Sequence, residues 1–213
     1  MFDTQQGVRH HTLWVCEKWS QEAVEFAAKK LDSWGVSAVP TMEIPKLLPI
    51  KHGISSAMLR MLVGPPEECA EIVGNLLLNE GIQRLQDMTM IATVTSNQVA
   101  GNPWSNANAF LGVGDSATAE AATQTDLQAS TNKFYKAMNA TYPSRSSQTV
   151  SFQSDFITSE ANYVWNEWSV SAGATSASGG GFTVGTTNLN RKVASLGTKS
   201  SGTWTLTAQI TFS

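Results

Sequence analysis

The apolar positions of this chain change period near residue 100. Before that point they recur at spacings of three and four. Trp19, Ala23, Phe26, Ala27, Leu31 and Trp34 share one face of a helical wheel, which predicts an amphipathic helix over residues 17–34 closed by Gly35. Met58, Leu59, Met61 and Leu62 predict a second helix over residues 55–62, stopped by Gly64-Pro65-Pro66. Ile72, Leu76, Leu77, Ile82 and Leu85 give the stripe of a third, over residues 67–88, with Glu67, Glu68 and Glu71 opposing the positive end of its dipole. Gly74 and Gly81 are the points at which that helix could break. Between residues 39 and 51, Pro40, Pro45 and Pro49 disfavour regular structure and predict an extended connector that clamps against another surface.

Beyond Gly101 the period becomes two. Trp204, Leu206, Ala208, Ile210 and Phe212 alternate with Thr203, Thr205, Thr207, Gln209 and Thr211, which predicts a half-buried antiparallel strand with a polar outer face. Further strands are expected over residues 107–113, 133–139, 149–156, 162–170 and 188–196, separated by turn-forming Gly, Ser, Asn and Pro. The glycine-rich tract 178–181 suits an exposed loop or a hairpin tip. The expected fold class is α+β: a helical N-terminal region over residues 1–100, which anchors or oligomerises, then an antiparallel β-sandwich over residues 101–213, which attaches or displays.

Composition narrows the partners. The chain has 213 residues, 41 % of them hydrophobic, enough to fill a core. Only 15 % are charged and the formal net charge is −3, so direct nucleic-acid binding is not expected, because it needs clustered Lys and Arg to neutralise phosphates. The chain contains no apolar run of about eighteen residues, and residues 1–11 lack a secretory pattern; synthesis in a cytosol without membrane insertion is expected. Cys16 and Cys69 are then expected as buried reduced thiols, although spacing alone leaves a disulfide open.

Several constellations imitate chemistry. Gly112-Val113-Gly114-Asp115-Ser116-Ala117 imitates a dinucleotide-binding turn, but Lys133 and Lys136 stand in an expected antiparallel strand where a βαβ unit needs an acidic residue, so a turn or bulge is expected and no cofactor. His10 and His11 are adjacent and diverge, and His52 has no acidic or thiol neighbour, so no metal site is expected. Asp115, Asp126, Asp155, Glu160 and Glu167 could supply a carboxylate pair for glycoside hydrolysis, yet their spacing is not diagnostic and no nucleophile carries an elbow motif. An enzyme is not expected.

Tyr163, Trp165 and Trp168 interleave with Val164, Glu167 and Val170 on an expected strand. If Tyr163 and Trp165 are exposed they offer an aromatic contact for a protein or a glycan; packing beneath a loop is the alternative. Trp19 and Trp34 are the corresponding interface candidates of the helical half. The polar clusters Asn166-Glu167 and Asn190-Arg191-Lys192 suit ties between strands or subunits, and opposite charge in an antiparallel layout pairs Glu167 with Arg191.

The segment 107–127, with Phe110-Leu111, Gly114-Asp115, a small Ala/Thr loop and Thr125-Asp126-Leu127, resembles attachment domains of tail-fibre and collar-fibre proteins of tailed bacteriophages. Tyr163-Val164-Trp165-Asn166-Glu167-Trp168-Ser169-Val170 is similar to a later strand of such domains, so the resemblance spans roughly residues 106–213. It implies a virion structural protein that performs no chemistry, forms a homo-oligomer with a trimer favoured, and contacts other virion proteins. The attachment domains do not account for the helical half, and the chain ends in a strand, not a fibre shaft. Both departures weaken a fibre and favour a short adaptor, a baseplate or collar component, or a capsid decoration protein, with a tail-associated adaptor at the collar, baseplate or fibre attachment as the leading expectation. A capsid decoration or head-fibre protein and a glycan-binding host-recognition module are the alternatives.

Overall fold

In a computed structural model of the chain the described residues are 10–34, 54–89, 104–173, 175–176, 182–184 and 187–212. The proline connector, Gly35, His52 and the glycine tract 178–181 lie outside them.

The chain forms two antiparallel sheets with short helices. The first sheet has the order β2-β1-β13-β7-β6, from β1 (His10–Trp19), β2 (Glu68–Val73), β6 (Ser144–Ser146), β7 (Thr149–Phe156) and β13 (Thr203–Phe212). The second has the order β3-β12-β8-β4-β5-β10-β9, with an extra short strand on β8. Its members are β3 (Leu76–Leu77), β4 (Ala109–Gly114), β5 (Lys133–Ala137), β8 (Val164–Ala172), β9 (Thr175–Ser176), β10 (Phe182–Val184), β11 (Thr187–Asn188) and β12 (Asn190–Thr198).

A common core joins the sheets into a sandwich-like arrangement. Period-two alternation sends Trp14 and Cys16 of β1, Phe152 and Phe156 of β7, and Trp204, Leu206 and Ala208 of β13 inward. There they meet Leu111, Val113, Trp165, Trp168 and Val170 of the second sheet. Aromatic edges lock the layers: Phe156 lies 4.8 Å from Trp165, Trp165 lies 4.9 Å from Trp204, and Trp14 lies 6.0 Å from Trp168.

Two helices cap the outer face of the first sheet. Ser20 ends β1 and caps α1 (Gln21–Ser33), its side chain accepting from the Ala23 amide at 3.2 Å. Ser55 likewise caps α2 (Ser56–Leu62), which ends before Gly64 at φ 121°. Ala23, Ala27 and Leu31 of α1 and Leu59 and Leu62 of α2 bury against Trp19. The outer threonines Thr203 and Thr205 of β13 are thereby fully buried, so this strand is covered on both faces and not half-buried. Asp155 fastens the cover, accepting from the Ser56 amide at 2.8 Å and from the Thr205 hydroxyl at 2.7 Å.

The N-terminal region is not simply helical. Residues 10–19 form a ten-residue strand, because Thr12, Trp14, Cys16 and Lys18 alternate inward, and the helix expected from residue 17 starts only after Ser20. The helix expected over 67–88 is replaced by β2 and β3, broken at Gly74 (φ 86°), and then α3 (Asn79–Thr89). Edge pairing with β1, from Leu13↔Val73 to Lys18↔Glu68, outweighs the apparent helical period. Gly81 is a docking point: a Cβ there would stand 2.4 Å from the Leu189 carbonyl oxygen. Strands from before residue 100 thus pair directly with strands from after it, β1 with β13 and β3 with β12.

Candidate functional site

The segment that carries the resemblance contains β4, then leaves the sheet, and residues 115–132 form no strand or helix before the chain returns at β5. Its anchor is a fully buried ion pair. Glu167 on β8 faces Gly114 of β4 on one side and Val193 of β12 on the other, close to Arg191. Arg191 meets Glu167 Oε2 through Nε at 2.7 Å and Nη2 at 2.6 Å. Its remaining hydrogens go to the loop, Nη2 to the Thr118 carbonyl at 2.9 Å and Nη1 to Gln124 Oε1 at 2.9 Å. Glu167 in turn accepts the amides of Gln128 at 2.9 Å and Ala129 at 2.7 Å. Both charges are therefore surrounded by donors and acceptors, the condition under which a buried pair is tolerated.

Two glycines leave room for this arrangement. A Cβ on Gly114 would fall 2.5 Å from Glu167 Oε1, and one on Gly112 would fall 2.3 Å from the Tyr135 ring. Gly114 is the last residue of β4 and not a turn residue, so the Gly-Val-Gly sequence reflects close packing within a strand.

A second cluster holds the far end of the loop. The Asp126 carboxylate receives the Tyr135 hydroxyl, the Leu127 amide at 2.8 Å and the Lys133 ammonium at 2.8 Å. Burial, with the Asp126 charge beside it, pushes the Tyr135 phenol well above its ordinary range. Asn188 donates to the Thr125 carbonyl at 2.9 Å, and its own amide donates to Glu80 Oε1 of α3 at 2.6 Å. Burial pushes the Glu80 carboxyl up to about 7, against the pull of the Asn188 bonds. The loop thus ties α3 to the second sheet, helped by the Asn79 amide on the Ala122 carbonyl at 2.8 Å.

Other positions singled out from sequence fall elsewhere. Trp165 is fully buried, its indole donating to the Ala161 carbonyl at 2.9 Å, and Trp168 points into the same core despite their odd spacing. Tyr163 is half-buried with its hydroxyl on the Val113 carbonyl at 3.2 Å. Of the two outcomes weighed for this pair, packing holds: Trp165 is core, and Tyr163 packs half-buried against it. Trp19 is also buried, whereas Trp34 is exposed at the end of α1. Asp115 accepts from Asn132 at 2.7 Å, and Glu160 takes Lys136 at 2.6 Å and the Ile157 amide at 3.0 Å. The carboxylates considered for hydrolysis all serve as structural acceptors. Cys16 and Cys69 are free: Cys16 pairs with Ala70 and Glu17 with Cys69, so the two thiols lie on opposite faces. Cys69 is exposed, contrary to expectation; burial pushes the Cys16 thiol up to about 12.

Three positions carried no sequence signal. Lys199 is buried with its ammonium on the Ile157 and Glu160 carbonyls and Asn162 Oδ1 at 2.8 to 2.9 Å, and burial pulls it down to about 8. Glu80 and Tyr135 meet Asn188 only through tertiary packing. An open cleft of about 430 Å³ lies where β1 meets α1, lined in part by Lys18, Gln21, Glu67, Glu68, Ser200 and Trp204. Lys18 covers the Trp204 ring at 4.4 Å while bonding Glu68 at 2.5 Å and the Leu196 carbonyl at 2.8 Å, so that ring face is not open to a sugar.

No family model, curated protein or solved structure matches the chain. The geometry itself describes a locked scaffold, in which buried charge is spent on fixing a surface loop.

Proposed function

We propose that this chain is a structural component of a tailed-phage virion, a homo-oligomeric, tail-associated adaptor at the collar, baseplate or fibre attachment that acts through protein interfaces. One observation carries the reading. The residues of the resemblance, distant in sequence, interlock in space: Glu167 abuts Gly114, Asn166 donates to the Asp115 carbonyl at 3.0 Å, and Asp126 and Leu127 close the same loop. A rigid loop on a sandwich-like scaffold suits attachment or display, because little conformational entropy remains to be lost on assembly.

The test is location. Purified particles probed with an antibody against the chain, followed by a reconstruction, are expected to show density at the tail. Many copies at capsid lattice positions would move the protein to the head surface as a decoration, and its absence from particles would remove the virion reading altogether.

A further inference from the structure

The outer flank of α1 is apolar where a helix end normally is not. Phe26 is 55 % exposed and Trp34 58 %, and at the end of α2, Met61 and Val63 are 70 % and 39 % exposed. Lys30 stands between the two rings, 5.7 Å from each centroid, and donates to the Leu62 carbonyl at 3.3 Å. That single long bond leaves the other ammonium hydrogens available.

Two of the charges on α1, Glu22 and Lys30, stand symmetrically about Phe26. Glu22, Phe26 and Lys30 follow one another at intervals of four and form one stripe of the helix. The two charges stand equally far from Phe26, about 6 Å along the axis in each direction. A parallel copy would set Glu22 against Glu22 and Lys30 against Lys30. An antiparallel copy related by a dyad through Phe26 sets each Glu22 against a Lys30, twice, with the phenyl rings meeting on the axis.

We propose that this flank docks a second copy of the chain through an isologous interface, α1 antiparallel to α1 and Phe26 on the dyad. Charge complementarity selects the occupant, since the stripe is its own complement only in that orientation. Trp34, two turns beyond Phe26, then lies over the second copy's α1 N-terminus, where Ser20, Gln21 and Glu22 line the 430 Å³ cleft. The inference deepens the self-association part of the proposed function and is independent of where in a particle the protein sits.

Sedimentation velocity of the full chain across the micromolar range tests it. The wild type is expected to form dimers or even-numbered assemblies, and Phe26→Glu, which sets two carboxylates on the axis, to give monomers or half-sized species with an unchanged far-ultraviolet dichroism spectrum. Glu22→Lys alone and Lys30→Glu alone each create two like-charge contacts and are expected to weaken association about tenfold or more. Mixing those two variants restores opposite charges at both contacts, so heterodimers are expected from partners that do not self-associate. A monomeric wild type, or an oligomer indifferent to Phe26→Glu and to the charge reversals, overturns the inference. Detection in particles alongside such a result leaves the virion reading standing.

Discussion

At the scale of single residues, the Glu167–Arg191 pair carries the greatest consequence. Arg191→Met leaves the Glu167 carboxylate buried with only two backbone amides, and the expected loss is about 3 to 5 kcal/mol in urea unfolding. Glu167→Gln combined with Arg191→Met is expected to cost less than the two single changes together, because the charge is then gone from both sides. In amide exchange of the Arg191 variant, Gln128 and Ala129 are expected to lose protection first; retained protection there would show that the pair does not hold the loop. Gly114→Ala has a different cause and a smaller expected cost, about 1 to 3 kcal/mol, since its methyl would collide with Glu167 Oε1. A thermal midpoint equal to wild type would contradict that contact. The charges of Glu167 and Arg191 and their antiparallel strands were legible in sequence. Their common burial was not, because it depends on a loop 38 or more residues away from Glu167 folding back over them.

At the scale of elements, α3 is held in place by a group whose titration is shifted. Its Glu80 accepts the Asn188 amide, with Arg84 on the next turn and Asp126 across the contact. Well below pH 4.5 the carboxyl is protonated in both folded and unfolded chains, and this group takes nothing from the stability of the fold. Between pH 4.5 and about 7 the unfolded chain releases a proton that the folded chain retains at Glu80, so the contribution of this group to stability falls as pH rises. The expected loss across that window is about 1 to 2 kcal/mol, after discounting for the solvent that screens this half-buried group. Glu80→Gln keeps an acceptor for Asn188 and is expected to flatten the dependence; a profile identical to wild type would assign the slope to another group. Sequence period marked β7 and β13 at their full lengths and α2 to within one residue. It misread residues 67–78 because Ile72, Leu76 and Leu77 fit a helical stripe as well as edge strands, and only their strand neighbours, β1 for β2 and β12 for β3, decide between them.

At the scale of the whole molecule, β1 is the element that binds the chain's beginning to its end. It pairs with β13 along all ten residues, from His10↔Phe212 to Trp19↔Thr203, and places Trp14 and Cys16 in the main core. A fragment comprising residues 101–213 is therefore expected to lack cooperative unfolding and near-ultraviolet dichroism, and adding a peptide of residues 10–19 in trans is not expected to restore the missing helical cover. A fragment that unfolds cooperatively with native aromatic signals would show that the later strands suffice. The sequence by itself determined the sandwich-forming strands after residue 100, α2 with its Gly-Pro-Pro stop, the low charge and the small-residue loop, because period, helix breakers and composition are local properties of neighbouring residues. Only the tertiary structure decided that Trp165 is core and Phe26 is surface, that the first ten described residues are a strand, and that Glu167, Arg191 and Gly114 share one site. Those outcomes depend on which surfaces the folded chain brings together, and an apolar or charged residue carries no mark of its distant partner.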